Sequence, residues 1–237
     1  MRNLVIIPVF NEEAHILEVL ESIKSNAEEA DILVVDDGST DNTPRILEEA
    51  RIGFLIEHQE NQGYGQSLIE GFEFAIKKDY TYLVTIDCDA QHEPAYIPQF
   101  FEELKKFDIV SGSRYLPDSL KVDQPPEGRL EINKKITGLM RQYTGYQITD
   151  SFCGFKGYRV AGLKKLNLTE RGYGMPLQLW LQAARVGLTV KEIPVPLIYK
   201  DQTRDFKNAF RSKEERLEYY LKVIKDAEHT CHSGPSG

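Results

Sequence analysis

Short apolar runs alternate with longer segments of helical periodicity through the first half of the chain, and this alternation limits the folds open to it. Runs rich in β-branched residues predict buried strands, whereas apolar residues spaced i, i+3, i+4, i+7 predict helices with one buried face. Strands that alternate with helices favour right-handed crossovers, so we expect an α/β fold with a mostly parallel central sheet and helices on both faces. The predicted strands span 4–9, 32–35, 54–56, 82–86 and 109–110, and the predicted helical faces span 16–23, 68–76 and 97–104.

The second half of the chain carries weaker signals of regular structure. A proline-rich polar stretch is typical of an exposed loop, and a helical stripe follows it. Of two later extended segments, the second contains Pro194 and Pro196, which donate no ladder hydrogen bonds and therefore favour an edge strand. We interpret residues 1–228 as one domain and 229–237 as a flexible tail. The loop is 117–130, the stripe comprises Ile132, Ile136, Leu139, Met140 and Tyr143, the extended segments are 152–158 and 190–198, and a last helix is centred on 217–224.

The charge balance makes one class of partner unfavourable. The chain has 29 lysines and arginines against 37 aspartates and glutamates, a net charge of −8, so we expect no nucleic-acid partner. No apolar run reaches the ~20 residues that cross a bilayer, no signal peptide is visible and the three cysteines form no CxxC pair, which together favour a cytoplasmic protein. Membrane contact is expected to be peripheral at most. The stripe at 132–143, flanked by Lys134, Lys135 and Arg141, either packs into the core or lies on a membrane surface.

Acidic residues follow two of the predicted strands directly. Asp36 and Asp37 come after the second strand, and Asp87 and Asp89 come after the fourth. Because parallel strands end at one edge of a sheet, these carboxylates are expected to meet in a crevice there. A D-x-D pair with a nearby amide oxygen from Gln91 suits Mg²⁺ or Mn²⁺, which prefer oxygen ligands, although D-x-D is also common in ordinary turns. His92 has two interpretations, a further ligand or a solvated turn residue, and we favour the second.

Polar residues also follow the other predicted strands. Asn11 is interpreted as the N-cap of the first helix. The segment 61–65 contains two glycines before a helix, a weak sign of a phosphate site. Arg114 follows the fifth strand and is suited to phosphate oxygens. Each signal is ambiguous alone, but their recurrence at successive strand ends favours one ligand site.

Five segments occur in an order that resembles family 2 glycosyltransferases of the GT-A nucleotide-diphospho-sugar transferase fold. Within that family the chain resembles the dolichyl- or polyprenyl-phosphate mannosyltransferase branch. The branch pattern continues at 149–158 (TDSFCGFKGY) and 192–196 (EIPVP). The five segments are 8–12 (PVFNE), 35–41 (VDDGSTD), 61–63 (NQG), 87–92 (DCDAQH) and 112–115 (GSRY).

The resemblance implies an enzyme, a hexosyltransferase, with a nucleotide-sugar donor linked to GDP or UDP and a divalent cofactor, Mg²⁺ or Mn²⁺. It places the metal at Asp87, Asp89 and Gln91. One departure is Gln178, where many relatives carry glutamate. The positions implied for the nucleotide-sugar are Pro8, Phe10, Glu12, Val35, Asp37, Asp87, Cys88, Arg114, Arg129, Arg204 and Lys207.

The acceptor decides which catalytic groups are needed. Asp89 and Arg114 are expected to stabilise the departing diphosphate, with inversion implied by the family. A phosphate acceptor is already ionised and needs no strong base, whereas a sugar hydroxyl needs a carboxylate, for which Asp150 is the candidate unless it is a turn cap. A polyprenyl phosphate is therefore the first hypothesis. The alternatives are a cytosolic glycosyltransferase acting on a soluble sugar or glycolipid, and a non-catalytic subunit that binds sugar nucleotides.

Overall fold

A seven-stranded sheet lies at the centre of the structure, a computed structural model that describes residues 1–89, 91–120, 123, 129–198 and 210–229. The strand order is β3-β2-β1-β4-β6-β5-β7, and every pairing is parallel except those of β6 with its two neighbours. The predicted α/β fold with a mostly parallel sheet is therefore confirmed. The strands are β1 (Asn3–Val9), β2 (Ala30–Asp36), β3 (Phe54–Glu57), β4 (Tyr82–Thr85), β5 (Ile109–Ser113), β6 (Lys156–Arg159) and β7 (Val190–Pro194).

Helices cover both faces of the sheet, as the alternation of strand and helix predicted. Alternate residues of β1 divide between the two cores: Leu4 and Ile6 face one, and Val5 and Ile7 face the other. Side chains from α3, α5, α7 and α8 fill the first core, and those from α1, α2 and α4 fill the second. The helices are α1 (Ile16–Asn26), α2 (Thr43–Ala50), α3 (Tyr64–Lys77), α4 (Ile97–Glu103), α5 (Arg129–Thr144), α6 (Val160–Leu163), α7 (Met175–Arg185) and α8 (Lys213–His229).

The apolar stripe of α5 packs into the protein. Ile132, Ile136 and Met140 are buried in the core shared with α3 and α7, and only Tyr143 is substantially exposed. The core interpretation of this stripe is therefore the one that the structure supports. Among the described residues, no helix combines the length and the apolarity needed to cross a bilayer.

The two extended segments of the second half take different positions in the sheet. β7 forms one edge beside β5, as its prolines predicted. β6 instead inserts, antiparallel, between β4 and β5. Half of the predicted loop at 117–130 and nearly all of the predicted tail lie outside the described residues, so these two predictions and the domain boundary stay predictions.

Candidate active site

Four strands deliver their following residues to the same edge of the sheet. β1, β2, β4 and β5 run in the same direction and end there, and the antiparallel strand β6 begins there. The edge therefore gathers the segments after Val9, Asp36, Thr85 and Ser113, together with the residues that precede Lys156. These are the segments that the sequence singled out.

Asn11 ties the first two of these segments together. Its Oδ1 accepts hydrogen bonds from the backbone N–H of Thr40 at 2.7 Å, and its own N–H donates to Ser39 Oγ at 2.9 Å. Asn11 has a φ of 57°, and α1 begins only at Ile16, so the N-cap prediction was wrong. The Asn11 side chain thus joins the loop after β1 to the loop after β2. Phe10, its neighbour in the first loop, lies at the rim of the crevice with 44% of its surface exposed.

The carboxylate of Asp37 is buried against the segment that leads into α3. Its Oδ1 accepts hydrogen bonds from the N–H of Gln62 at 2.7 Å, and its Oδ2 accepts one from the N–H of Gly63 at 2.9 Å. The ring of His58 lies between two carboxylates, with Nδ1 2.7 Å from Asp37 Oδ1 and Nε2 3.0 Å from Glu70 Oε2. Burial alone lowers the pKa of His58, but the two carboxylates outweigh it and raise that pKa.

We expect the His58→Gln variant to lose stability in a pH-dependent way. Because the folded-state pKa of His58 is raised, its contribution is complete below the unfolded value of about 6.5 and is lost as the pH rises through the folded value. At pH 6 the variant should be less stable by about 2 kcal/mol, since the buried carboxylate of Asp37 and the partly exposed carboxylate of Glu70 lose a charged partner. Urea unfolding across the pH range measures this difference, which should shrink at alkaline pH. The matched control is His15→Gln at the N-cap of α1, and an equal deficit at every pH would contradict the prediction.

Asp87 is held in place by groups on three sides. The Tyr64 hydroxyl donates a hydrogen bond to Asp87 Oδ1 at 3.0 Å, and His92 Nε2 lies 3.7 Å from Oδ2. On the third side is Gly154, where a Cβ atom would lie 2.0 Å from Oδ2. Burial raises the pKa of Asp87, but His92, Tyr64 and the charge of Lys156 outweigh it and lower that pKa. The Asp87 side chain, 27% exposed, is therefore a fixed carboxylate that still reaches the surface of the crevice.

The rest of the 87–92 segment turns back on itself beside Asp87. Asp89 Oδ1 accepts a hydrogen bond from the N–H of Gln91 at 3.1 Å, and Gln91 is 7% exposed. His92 is 8% exposed, with its ring centroid 5.4 Å from that of Phe155. The solvated-turn interpretation of His92 was therefore wrong, because the ring packs under the segment.

The chemistry of the 87–92 segment suits a hard divalent cation. Two carboxylates and one amide oxygen are the ligand types that Mg²⁺ and Mn²⁺ prefer. Within the described ranges, no three side chains drawn from histidine, cysteine, aspartate and glutamate form a metal-binding group. Such a ligand set suits an ion that shares its coordination with water and with phosphate oxygens of a substrate.

Arg114 and Asp150 form a bidentate ion pair at the end of β5. Arg114 Nε lies 2.6 Å from Asp150 Oδ2, and Nη2 lies 3.0 Å from Oδ1. Asn133 on α5 donates to the same Oδ1 at 2.9 Å. Asp150 is 0% exposed. Burial raises its pKa, but the charge and hydrogen bonds of Arg114, with smaller contributions from Asn133 and Lys156, lower it to about 2.

Glu192 on β7 fixes the backbone that carries Asp150. Its Oε1 accepts hydrogen bonds from the N–H of Thr149 at 2.8 Å and from the N–H of Asp150 at 3.1 Å. The threonine hydroxyl donates to Oε2 at 2.8 Å. The two later motifs, 149–158 and 192–196, therefore belong to one structural unit behind Arg114.

The structure describes five of the remaining predicted residues. Pro8 and Val35 are buried in β1 and β2, Cys88 is 2% exposed, Glu12 is partly buried and Arg129 is the first residue of α5. Arg204 and Lys207 lie outside the described residues.

Gln178, the departure from the family pattern, is used inside the protein. Its Oε1 accepts hydrogen bonds from the N–H groups of Thr169 and Glu170 at 2.8 and 2.9 Å, and its Nε2 donates to Thr169 Oγ1 at 2.9 Å. An amide satisfies both directions of this bonding at once, whereas a carboxylate would leave the threonine hydroxyl without that donor.

Sequence reasoning missed four residues of the site. His58, Tyr64, Gly154 and Lys156 each contact or interact electrostatically with a predicted carboxylate. Tyr64, Gly154 and Lys156 lie inside segments that the sequence had already marked. The one available signal was a lysine, Lys156, within a segment rich in apolar residues.

Known proteins match this chain in sequence along most of its length. The family model Glycosyl transferase family 2 matches residues 4–166. The undecaprenyl-phosphate mannosyltransferase of Micrococcus luteus is 29% identical over 209 residues, 85% of each chain. The UDP-N-acetylglucosamine–dolichyl-phosphate N-acetylglucosaminyltransferase of Methanococcus voltae is 27% identical over 220 residues, 83% of this chain and 85% of that protein.

A solved structure supports the fold independently. Glucosyl-3-phosphoglycerate synthase of Mycobacterium tuberculosis, in complex with Mn²⁺, UDP and glucosyl-3-phosphoglycerate, superposes with a TM-score of 0.73. The match covers 100% of this chain and 82% of that chain at 18% identity, so it bears on the fold alone. The GT-A fold expected from the sequence is thereby confirmed. Since the family model matches more than half of its length, the chain belongs to glycosyl transferase family 2.

Proposed function

We propose that the chain transfers a hexose from a GDP- or UDP-linked donor to a polyprenyl phosphate, with inversion and with the aid of Mg²⁺ or Mn²⁺. The names of the two relatives support the acceptor class, because one is an undecaprenyl-phosphate and the other a dolichyl-phosphate transferase. The same names differ in the sugar, mannose in one and N-acetylglucosamine in the other, so the acceptor is the shared element.

The observation that carries the proposal is the state of Asp150. A general base must reach the proton that it removes and must have a pKa suited to accepting it. Asp150 is fully buried, both its oxygens are bonded to Arg114, and its pKa is lowered to about 2. The carboxylate that a sugar hydroxyl would need is thus committed elsewhere, which favours an acceptor that is already ionised.

Arg114 has the complementary chemistry for such an acceptor. Its guanidinium is held by Asp150 through Nε and one terminal nitrogen. This bidentate pairing fixes the plane of the group, so that its remaining N–H donors have a defined direction. We assign Arg114 to binding phosphate oxygens at the reaction centre and Asp150 to positioning Arg114.

On the donor side, we assign the nucleoside to the rim formed by the segments after β1 and β2, where Phe10 is exposed. Asp87, Asp89 and Gln91 would hold the divalent cation. When bound, that cation would neutralise charge that develops on the departing diphosphate. Tyr64 and His92 keep Asp87 oriented for this task.

The proposed reaction is a single displacement at the anomeric carbon. An oxygen of the acceptor phosphate forms the new bond while the bond from the anomeric carbon to the diphosphate oxygen breaks. The electron pair leaves with the nucleoside diphosphate. No proton has to be removed from the acceptor, in keeping with the commitment of Asp150 to Arg114.

The test is a transfer assay with the purified chain, labelled nucleotide-sugars and three matched acceptors. We expect a glycolipid product with polyprenyl phosphate and none with the corresponding polyprenol or with free sugars. Chelation with EDTA should abolish transfer, and added Mn²⁺ should restore it. Transfer to a free sugar with none to the prenyl phosphate would reject the acceptor, and full activity in EDTA would reject the metal.

A further inference from the structure

Lys156 is a buried lysine between the two halves of the proposed site. It is 2% exposed and is the first residue of β6, which runs between β4 and β5. In the register of the sheet it pairs with Thr85 on one side and with Ser111 on the other. Lys156 therefore lies between the strand that leads to Asp87 and the strand that leads to Arg114.

The surroundings of the Lys156 ammonium combine carboxylates with one carbonyl and one ring. Nζ donates a hydrogen bond to the carbonyl oxygen of Cys153 and lies 5.6 Å from the centroid of the Trp180 ring. Burial lowers the pKa of Lys156, and Arg114 adds to that lowering, whereas the charges of Asp150 and Asp87 act in the opposite direction and favour the ammonium. A buried ammonium is retained only where nearby charges and hydrogen bonds compensate its loss of hydration.

The two carboxylates differ in the partners that they already have. Asp150 has Arg114 as a direct partner. Asp87 is bonded to the neutral hydroxyl of Tyr64 and lies 3.7 Å from His92. Without Lys156, the buried charge of Asp150 and the partly exposed charge of Asp87 would each have less positive charge nearby to offset it.

We propose that Lys156 acts through two carboxylates by supplying a built-in counter-charge shared by Asp87 and Asp150, which offsets their negative charge before any metal binds. The inference rests on the proposed function insofar as Asp87 is a metal ligand. The lysine neither contacts the substrate nor ligates the metal. It acts through the two carboxylates.

The test compares Lys156→Met, Lys156→Gln and Lys156→Arg, with Mn²⁺ binding followed by electron paramagnetic resonance and thermal unfolding followed with and without Mn²⁺. Removing a positive charge near a cation site should tighten Mn²⁺ binding by about threefold or more in the Met and Gln variants. Mn²⁺ should also raise the melting temperature of these variants more than that of the unaltered chain. The Arg variant should bind Mn²⁺ as the unaltered chain does. In the Met and Gln variants, kcat should fall about tenfold or more, because Mn²⁺ does not replace the lysine beside Asp150.

Arg159→Met is the matched control, because Arg159 lies on the same strand but faces Asp108, away from the site. It should leave Mn²⁺ affinity unchanged.

A Lys156→Gln variant with unaltered Mn²⁺ affinity and kcat would overturn the proposal, because glutamine keeps a hydrogen-bond donor but not the charge. That outcome would mean that Lys156 acts only through its hydrogen bond to the Cys153 carbonyl. Weakened Mn²⁺ binding in the Met and Gln variants would also overturn it. If the Met variant folds only when Mn²⁺ is added, the proposal is supported, and failure to fold even then overturns it. Mn²⁺ binding needs no acceptor, so these results stand even where transfer to polyprenyl phosphate fails.

Discussion

Replacement of Gly154 by alanine is expected to lower kcat/KM for sugar transfer by about 100-fold or more. A Cβ at this position would lie 2.0 Å from Asp87 Oδ2, 2.5 Å from its Cγ and 2.6 Å from its Oδ1. No carboxylate tolerates such contacts, so Asp87 would have to rotate away from Tyr64, its hydrogen-bond partner at 3.0 Å. The proposed metal ligand would then leave its place. Steady-state kinetics and Mn²⁺ titration of the folded variant measure the two consequences, and both activity and Mn²⁺ affinity should fall.

Gly138→Ala provides the matched control for this substitution. Gly138 lies within α5, and a Cβ there would have no atom within 4 Å outside its own helix. Alanine is the better helix former, so this variant should gain about 0.5–1 kcal/mol of stability and keep full activity. If the Gly154→Ala variant retained roughly a third of wild-type activity, the close packing of Asp87 would have no functional importance.

The sheet was predictable because its strands are buried and short. β1 alternates its side chains between two apolar cores, so every residue from Leu4 to Ile7 is hydrophobic, and the strand stands out from its polar flanks. The helices of the first half were visible because only one face of each is buried. Their predicted faces agree with α1, α3 and α4.

The direction and neighbours of β6 could not be predicted in the same way. The extended run at 152–158 carries no local signal for whether it pairs parallel or antiparallel, since either pairing buries the same residues. The pairings of Asp150 with Arg114 and of Thr149 with Glu192 span 36 and 43 residues. Periodicity reports on neighbours within a few residues, so it does not reveal contacts that are made only when the strands assemble.

Within the site, strand ends indicated where the carboxylates would lie but not how each is used. Asp87 and Asp37 both follow parallel strands, yet Asp87 reaches the crevice and Asp37 is buried with hydrogen bonds to both oxygens. The difference arises from the 58–63 segment, which wraps over Asp37. A motif predicts the edge at which a residue lies, and the packing of other segments then decides its exposure.

Asp150→Asn and Arg114→Lys are each expected to lower kcat by about 100-fold or more. Both substitutions break the bidentate pairing at 2.6 and 3.0 Å that orients the guanidinium. If Asp150 acts only by positioning Arg114, the double variant should be no slower than the slower single variant. Kinetics of the two single variants and the double variant therefore measure whether the residues work as one unit.

Stability and its pH dependence give a second measurement of the same pair. Removing one partner of a buried ion pair costs about 3–5 kcal/mol, so Asp150→Asn should be strongly destabilised at pH 7. The pKa of Asp150 is lowered from 3.8 to about 2, so its contribution is present above the unfolded value and is lost as the pH falls through the folded one. Unfolding experiments between about pH 5 and pH 2 should show a loss in the unaltered chain of roughly 2 kcal/mol that the variant lacks. Glu49→Gln, which removes an exposed pair with Arg45 on α2, should change stability by less than about 0.5 kcal/mol.

A base role for Asp150 predicts a different pattern of kinetics. A base would act on the acceptor independently of Arg114, so the losses of the two single variants would multiply in the double variant. Arg114→Lys would also keep a proton acceptor in place, and its transfer to a sugar hydroxyl would persist. The positioning role would be contradicted if the two losses multiply in the double variant and Arg114→Lys still transfers sugar to a hydroxyl. That result would identify the acceptor as a hydroxyl rather than an ionised phosphate, because only a hydroxyl gives a base a proton to remove.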